Sequence, residues 1–260
     1  MVGKMEGQVI VRGTNLVELR AGDPSAGTAN WANSGSLGGS FTEVGDATVS
    51  TINVAAYGLV PLVNFDPNEA YRGPTAPTSI TGNGTRSIEV WMQNPTVATE
   101  DTMVAWGHRG GPDATNLAFN DGSNTTFGAV GHWASADMGW NGTPTAGDLH
   151  HLVYTYDGTT ARVYADGVEK ATKIVALNTH ALPTDTINLI AQNDAAGALQ
   201  FISSDGMNIS VLRIDTGVLS ANDIINNFNA GPLVAIPEPG SAALLGLAVT
   251  GLLARRRRSG

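Results

Sequence analysis

Short runs in which apolar and polar side chains alternate recur between residues 87 and 214. In the first of them, Ile88, Val90 and Met92 are expected on one face of a strand, with Trp91 on the other. Gly-, Asn- and Asp-rich turns separate the runs, and such regular spacing favours a sandwich or a barrel. The remaining predicted strands are Thr102–Gly107, Thr126–Trp133, Leu149–Tyr156, Thr160–Ala165, Thr186–Gln192 and Met207–Ile214.

Two Asp-Gly dipeptides mark the clearest local unit of the chain. One begins at Asp157, between Leu149–Tyr156 and Thr160–Ala165, and the other begins at Asp166. Because Asp-Gly suits the tight turns of β-hairpins, the pattern predicts three consecutive antiparallel strands.

Only residues 220–229 have a helical pattern. Ser220 is suited to the N-cap, Asp223 lies in the first turn, and the apolar residues that follow share one side. Gly231 and Pro232 end the helix. We therefore predict a single domain over residues 15–232, preceded by a lead-in strand or leftover segment at residues 1–14.

Composition supports a folded body and is compatible with export. The chain has 260 residues, of which 42% are hydrophobic and 14% charged, so it has enough apolar surface for a core. It contains no cysteine, which excludes disulfides. Residues 1–236 hold ten Lys/Arg against twenty-two Asp/Glu. This acidic body would repel phosphate backbones, so we expect no nucleic-acid partner.

Three signals follow one another at the C-terminus. Residues 233–241 form a hinge that contains Pro237, Glu238 and Pro239, residues 242–254 are almost wholly apolar, and residues 255–260 form a basic end with four arginines. As a helix, the apolar block would span about 20 Å, less than the roughly 30 Å of bilayer hydrocarbon. The arginines predict that this end stays cytoplasmic while the body lies across the membrane.

This ordered tail resembles the PEP-CTERM sorting signal of Gram-negative bacteria. The resemblance implies that Pro237, Glu238 and Pro239 are recognised by an exosortase-type membrane protease, with this protein as its substrate. It also implies transient anchoring in the inner membrane and delivery to the cell surface or the extracellular space. Such proteins begin with a secretory signal peptide, and residues 1–7 lead to no apolar run. We therefore expect the true start to lie upstream of Met1.

The body resembles another family. Residues 87–91, 150–158 and 163–167, with their Asp-Gly turns, are similar to the laminin-G-like, concanavalin A-like jellyroll. The resemblance covers about residues 15–232 and implies an all-β fold, a two-sheet antiparallel jellyroll sandwich, followed here by the short C-terminal hydrophobic helix of the tail. It also implies carbohydrate or protein binding, often with calcium.

A stretch rich in tryptophan provides the candidate binding residues. Indole faces stack on the C–H faces of sugars, whereas sugar hydroxyls need charged or polar partners. In a sandwich, tryptophans also commonly fill the core, and that alternative stays open here. The proposed ligand-binding set is His108, Arg109, Trp133, Asp137 and Trp140.

Histidine offers little support for a metal site in the sequence. His150 and His151 are adjacent, so on a strand they face opposite surfaces and cannot share one ion. His108, His132 and His180 have no spacing typical of zinc ligands.

Calcium suits the sequence better than zinc, because it takes carboxylate oxygens from loops and the chain has fifteen aspartates. Turn formation is the commoner role of such residues, so calcium stays a candidate cofactor and no metal ligand is assigned. The candidate donors are Asp66, Asp101, Asp137 and Asp205.

The chain has no motif of paired catalytic carboxylates. Glu89 stands alone on its strand, and Glu100 and Asp101 are sequence neighbours rather than alternate residues. We therefore expect a non-catalytic surface or matrix protein whose partner is a polysaccharide or another component of the extracellular matrix. Two alternatives stay open: a polysaccharide hydrolase or lyase whose carboxylates come from separate strands, and a structural matrix protein without a small ligand.

Overall fold

In the computed structural model, which describes residues 8–200 and 206–236, two antiparallel sheets pack face to face as a jellyroll sandwich. This confirms the predicted fold class. The first sheet has the order β13-β12-β11-β7-β17-β5-β4, with β1 also paired to β17. Its strands are β1 (Asn15–Arg20), β4 (Thr48–Val54), β5 (Gly58–Phe65), β7 (Arg86–Gln93), β11 (Leu149–Tyr156), β12 (Thr160–Ala165), β13 (Val168–Ile174) and β17 (Met207–Asp215).

The second sheet has the order β10-β9-β8-β14-β6-β3-β2. A separate two-stranded pair, a 3-10 helix at Ala134–Ala136 and one α-helix, α1 (Ala221–Ala230), complete the described elements. The strands of the second sheet are β2 (Asn30–Ala32), β3 (Ser40–Val44), β6 (Ala70–Thr75), β8 (Thr102–Gly107), β9 (Asn116–Asn120), β10 (Val130–Gly131) and β14 (Thr186–Leu189), and the pair is β15 (Gln192–Asn193) with β16 (Leu199–Gln200).

The core lies between the sheets and is built by strand alternation. On β7, Ile88, Val90 and Met92 are fully buried in it, as the sequence pattern predicts. On β9, Leu117 and Phe119 reach the same core from the opposite sheet. The outer faces of both sheets are therefore formed by the alternate residues.

The helix α1 covers the outer face of the first sheet. The rings of Trp91 on β7, His151 and Phe228 form one cluster, with centroid distances of 4.8 Å from Trp91 to His151, 5.9 Å from Trp91 to Phe228 and 6.2 Å from His151 to Phe228. The Glu89 carboxylate accepts hydrogen bonds from His151 Nε2 at 2.9 Å and from Asn227 Nδ2 at 2.9 and 3.0 Å. Burial raises the pKa of Glu89, but the interactions with His151, Arg213 and Asn227 together outweigh it, so the net pKa is lowered. Glu89 is thus a fully bonded structural carboxylate.

The predicted helix is confirmed, and its N-terminus explains why it begins there. Ser220 and Asp223 form a reciprocal capping box, in which each side chain accepts from the other's backbone N–H. Arg12 pairs with Asp223 at 2.6 Å and ties the segment before β1 to the helix. Gly231, with a φ of 85°, follows the last turn.

The predicted meander is confirmed, since β11, β12 and β13 pair consecutively.

Two predicted strands are wrong in extent. Thr126–Trp133 shortens to Val130–Gly131, because the Asn124 side chain accepts from the Thr126 and Phe127 amides and folds the start of the segment into a turn.

The second strand that is wrong in extent lies before the β15–β16 pair. Thr186–Gln192 ends at Leu189. Ile190 has a φ of 62°, which is incompatible with strand geometry, and Gln192 belongs to the separate pair.

The predicted tail lies outside the described residues. This applies to Pro237, Glu238 and Pro239, to the hydrophobic helix and to the basic end, and the domain boundaries stay predictions. Within residues 8–200 and 206–236, no helix is long and apolar enough to cross a membrane.

Asn227 provides a test of the contact between α1 and the first sheet. Asn227→Asp replaces an amide donor beside Glu89 with a second buried carboxylate, so we expect the free energy of unfolding to fall by about 2–4 kcal/mol. The neighbouring Asn226 is exposed, and Asn226→Asp should change it by less than about 0.5 kcal/mol. Urea unfolding of both variants is the measurement. Equal stability of the two would contradict this account of the helix contact.

Candidate functional site

The outer face of the second sheet is polar and yet buried. On β9, Asn116 and Asn120 alternate with the core residues Leu117 and Phe119, and both are almost completely inaccessible to solvent. Loops cover them, which means that their amides need hydrogen-bond partners within the protein. This face therefore differs from an ordinary solvated sheet surface.

Gln192 joins three elements on this face. Its Nε2 donates to Thr102 Oγ1 at 2.8 Å and to Glu100 Oε1 at 2.7 Å, and its Oε1 accepts from Asn116 Nδ2 at 3.1 Å. Asn116 Nδ2 also donates to the Gly131 carbonyl at 2.9 Å. In the described part of the chain, the buried Asn116 Oδ1 has no hydrogen-bond partner. It is a buried acceptor at the edge of the cavity that these hydrogen bonds leave unsatisfied.

A cavity of about 290 Å³ opens beside this network. The Arg109 guanidinium lies 5.2 Å from the centroid of the Trp133 ring, and its Nη2 is 3.6 Å from Glu100 Oε2. One aromatic face, a cation and carboxylates thus border the same space. The lining residues are Glu100, Arg109, Asn116, Phe127, Gly131, Trp133, Ala134 and Asp137.

The loop that carries Trp133 has an unusual backbone. Trp133 and Ala134 have φ angles of 87° and 52°, a region that side-chain-bearing residues rarely adopt. The Trp133 N–H donates to Asp137 Oδ1 at 2.7 Å. Lys173 Nζ donates to the carbonyls of Ser135 and Asp137 at 2.7 and 2.8 Å. Strained residues held by such bonds are often found at binding sites.

His132 fixes the same loop from within the protein. Its Nδ1 lies 3.0 Å from the Ala136 carbonyl and its Nε2 lies 3.0 Å from the Tyr154 hydroxyl. Burial lowers the pKa of His132 to about 3, so the ring is neutral. Because a carbonyl can only accept, Nδ1 carries the proton and Nε2 accepts from Tyr154. The Trp133 loop is thereby positioned before any ligand arrives.

The structure brings together three of the five residues of the predicted binding set. Arg109, Trp133 and Asp137 line the cavity, whereas His108 and Trp140 do not. Trp140 is buried in the core, 6.2 Å from the Phe119 ring, so its assignment to the site is corrected. Packing in the core removes the large apolar indole of Trp140 from water, which a position at the cavity would not do as completely.

His108 is separated from the cavity although it is adjacent to Arg109 in sequence. Its ring lies 3.9 Å from that of His180, beside Asp185. Burial and the neighbouring His180 lower the pKa of His108. His108 therefore does not line the cavity with Arg109, Trp133 and Asp137.

Several residues of the site were missed in the sequence. Glu100, Asn116 and Phe127 line the cavity, and no local pattern connects them. The alternation of Asn116 with apolar neighbours was the available signal, because it marks the outer face of a strand.

His150 and His151 face opposite surfaces, as predicted. His150 Nδ1 lies 2.7 Å from Asp166 Oδ2, whereas His151 contacts Glu89 under α1. Burial would lower the pKa of His150, but the Asp166 hydrogen bond and charge raise it overall. The pair holds no common ligand position.

Two of the candidate calcium donors make hydrogen bonds to backbone amides. Asp101 Oδ2 accepts from the Ala98 N–H at 2.7 Å, and Asp137 Oδ1 accepts from Trp133. These are turn-forming contacts. Asp205 lies outside the described residues.

Asp121 is a different kind of carboxylate. Both of its oxygens are buried, and neither has a hydrogen-bond partner in the described ranges. Burial raises the pKa of Asp121 to about 6. A neutral carboxyl or a bound cation would relieve the cost of this buried charge.

Comparisons with known proteins assign the domain and the tail to families. A family model of the concanavalin A-like lectin/glucanases superfamily matches residues 68–225. A second model, of the PEP-CTERM protein-sorting motif, matches residues 235–258, which marks an exported protein. No curated protein sequence matches the chain.

Solved structures with similar folds include both binding domains and an enzyme. Domain 4 of the extracellular arabinanase AbnA of Geobacillus stearothermophilus, in complex with arabinotriose, is 18% identical with a TM-score of 0.55, over 82% of this chain and 98% of that one. The Trypanosoma rangeli sialidase in complex with sialic acid is 13% identical with a TM-score of 0.58, over 88% and 35%. The binding domain of botulinum neurotoxin serotype G is 11% identical with a TM-score of 0.51, over 82% and 50%.

These similarities show the fold alone. The chain spans about a third of the sialidase and half of the neurotoxin domain.

The buried charge of Asp121 predicts a dependence of stability on pH. A pKa raised from 3.8 to about 6 favours the neutral form in the folded state. The contribution of the neutral Asp121 carboxyl to the free energy of unfolding is therefore complete below pH 3.8 and is lost as pH rises through 6. In EDTA at pH 7.5, Asp121→Asn should therefore be more stable than the parent by about 2–3 kcal/mol, and this gain should vanish near pH 4.

Urea unfolding across pH measures the gain of Asp121→Asn. Asp46→Asn, at an exposed position, is the matched control and should follow the parent. A variant at Asp121 that is no more stable at pH 7.5 would contradict the assigned buried charge.

Proposed function

Because the chain belongs to the concanavalin A-like lectin/glucanases superfamily, we propose that it is a non-catalytic surface or matrix protein that binds glycans at the Trp133 cavity. The observation that carries the proposal is the stack of Arg109 on Trp133 beside an unpartnered buried acceptor, Asn116 Oδ1, in the part of the chain described.

The cavity has the mixture of surfaces that a sugar ring requires. Trp133 is partly exposed and offers an apolar face, on which C–H groups of a sugar would pack. Arg109 supplies donors, whereas Glu100 and Asp137 supply acceptors for hydroxyl groups. The loop is held by Lys173 and His132, so little conformational entropy would be lost when a ligand binds.

The structural neighbours support a binding role at the level of the fold. One of them holds arabinotriose, and others are the binding domains of toxins. A fold can host many functions, so the proposal depends on the cavity and not on these neighbours.

A second candidate function is polysaccharide hydrolysis or lysis, and one observation favours it. Glu100 and Asp137 line the same cavity although they are distant in sequence. Burial and the charge of Glu100 raise the pKa of Asp137. A carboxyl with a raised pKa beside a second carboxylate is the arrangement that glycosidases use. However, Asp137 Oδ1 already accepts from the Trp133 amide, which favours a positioning role.

The third function, a structural matrix protein without a small ligand, would leave the cavity without a role. If the protein retains no polysaccharide, the structural role is favoured.

For a cofactor, we propose calcium at Asp121. Among the described carboxylates, Asp121 is the one whose two oxygens are both buried and unpartnered, and oxygen donors suit calcium. The variant pair Asp121→Asn and Asp46→Asn, measured with calcium in place of EDTA, checks this. Calcium should raise the melting temperature of the parent and of the control Asp46→Asn, and should leave that of Asp121→Asn unchanged.

We further propose that the tail is processed by an exosortase-type membrane protease after a transient stay in the inner membrane. The matched sorting motif at residues 235–258 supports this, and the Pro237-Glu238-Pro239 sequence would be the recognition element.

The glycan proposal predicts a selective loss of binding. Trp133→Ala and Arg109→Ala should each raise the dissociation constant for a retained polysaccharide about tenfold or more, equivalent to about 1.4 kcal/mol. Arg162→Ala is the control, because Arg162 pairs with Asp157 at an exposed turn away from the cavity. A polysaccharide array followed by affinity electrophoresis and product analysis is the measurement.

Each outcome of this experiment decides between the functions. A fall in stability by the roughly 3–5 kcal/mol typical of a core tryptophan would place Trp133 in the core and contradict the site. Release of sugar products that stops in Glu100→Gln would establish the hydrolase or lyase instead.

The sorting proposal predicts a defect in processing. Glu238→Ala should leave the protein retained at the membrane with an uncut tail, whereas Ser241→Ala, which preserves the Pro-Glu-Pro sequence, should be processed normally. Mass spectrometry of the surface and membrane fractions distinguishes the two forms. Normal cleavage of Glu238→Ala would refute recognition of this motif.

A further inference from the structure

We propose that His108, His180 and Asp185 bind a divalent transition metal of the zinc type, at a site separate from the Trp133 cavity. One donor atom from each residue lies within 4.8 Å of the other two. His180 Nδ1 is 2.7 Å from Asp185 Oδ2, and His108 Nδ1 is 3.8 Å from Asp185 Oδ1. The three donors are thus close enough to share one ion once their side chains shift to metal–ligand distances.

An unsatisfied nitrogen points to a ligand at this position. His108 Nδ1 is buried and has no hydrogen-bond partner among residues 8–200 and 206–236, and the His108 side chain is only 9% exposed. A buried polar atom without a partner costs about 1–3 kcal/mol, so such atoms usually have a role. A metal ion between His108 and Asp185 would satisfy the nitrogen.

The sheet register explains how residues so distant in sequence meet. β8 and β14 pair with Asn188 opposite Ala105 and Leu189 opposite Val104. Continuing this antiparallel register by three residues places Asp185 opposite His108. The spacing of these residues in the sequence therefore gave no sign of the site.

The backbone around the cluster is fixed by hydrogen bonds. The His180 N–H donates to the Thr115 carbonyl at 2.9 Å, and Thr179 exchanges backbone bonds with Gly82. Asp185 Oδ2 also accepts from the Leu182 N–H at 2.6 Å, which orients the carboxylate. Such second contacts are what hold metal ligands in place.

The donor set selects the class of metal. Two imidazoles and one carboxylate suit zinc or a similar transition metal, whereas calcium and magnesium prefer sites made entirely of oxygen. Three protein ligands leave a fourth position for water or another ligand. His180 is 31% exposed and borders a cleft of about 420 Å³, so the ion can enter from that side.

Equilibrium dialysis and calorimetry with Zn²⁺ on the untagged, EDTA-treated chain test the proposal. We expect one Zn²⁺ per chain, and a dissociation constant raised about 100-fold or more in His180→Gln. His150→Gln is the matched control, because it removes another histidine that contacts a single aspartate, Asp166, and should leave zinc affinity unchanged.

Thermal unfolding in EDTA shows whether each variant is folded, and Asp185→Asn replaces His180→Gln if that chain does not fold. Absorption spectra of the Co²⁺-loaded parent provide a readout of nitrogen and oxygen ligation that needs no variant. The proposal is overturned if the parent binds no Zn²⁺, if neither ligand variant loses affinity, or if His150→Gln loses as much affinity as His180→Gln.

Discussion

The buried amide side chains on the outer face of the second sheet bond to neighbouring elements, and these hydrogen bonds position the loops around the cavity. Gln192 bonds to Thr102, Glu100 and Asn116, so β15 is held against β8 and β9. Asn193 Nδ2 donates to the Gly107 and Thr186 carbonyls and fixes the adjacent strand ends. Because an unpaired buried amide costs as much as several favourable contacts contribute, these polar residues specify the loop geometry more sharply than apolar packing would.

The outer faces of the two sheets differ in how their polar side chains are covered. On the first sheet, α1 closes the surface, and Glu89, His151 and Asn227 satisfy one another beneath it. On the second sheet, the polar network continues to the partly exposed Arg109 and Trp133. The first arrangement buries its polar side chains beneath the helix, whereas the second leaves Arg109 and Trp133 partly exposed at a cavity. This asymmetry is the reason why the proposed glycan site is placed on the second sheet.

The sequence predicted those parts of the structure that follow from local chemistry. Strand alternation identified β7 and β11, Asp-Gly turns identified the meander, and Ser220 with Asp223 identified the helix start. It could not predict which tryptophans are buried, because the positions of Trp133 and Trp140 relative to the core are set by the folded loops. Nor could it predict that Glu100 borders the cavity with Asp137, or that His108 meets His180, since both contacts join loop segments that are distant in sequence.

The end of β8 shows how one backbone position can separate two kinds of chemistry. Gly107 has a φ of 75°, and a Cβ there would lie 2.5 Å from the Thr115 carbonyl, so only glycine is accommodated. Beyond it, His108 is directed to Asp185 and the histidine cluster, and Arg109 is directed to Glu100 and Trp133. The two side chains are adjacent in sequence but serve opposite sides of the strand end. A larger residue at position 107 would therefore disturb the proposed glycan cavity and the proposed metal site together. The geometry of both proposed sites thus depends on this glycine.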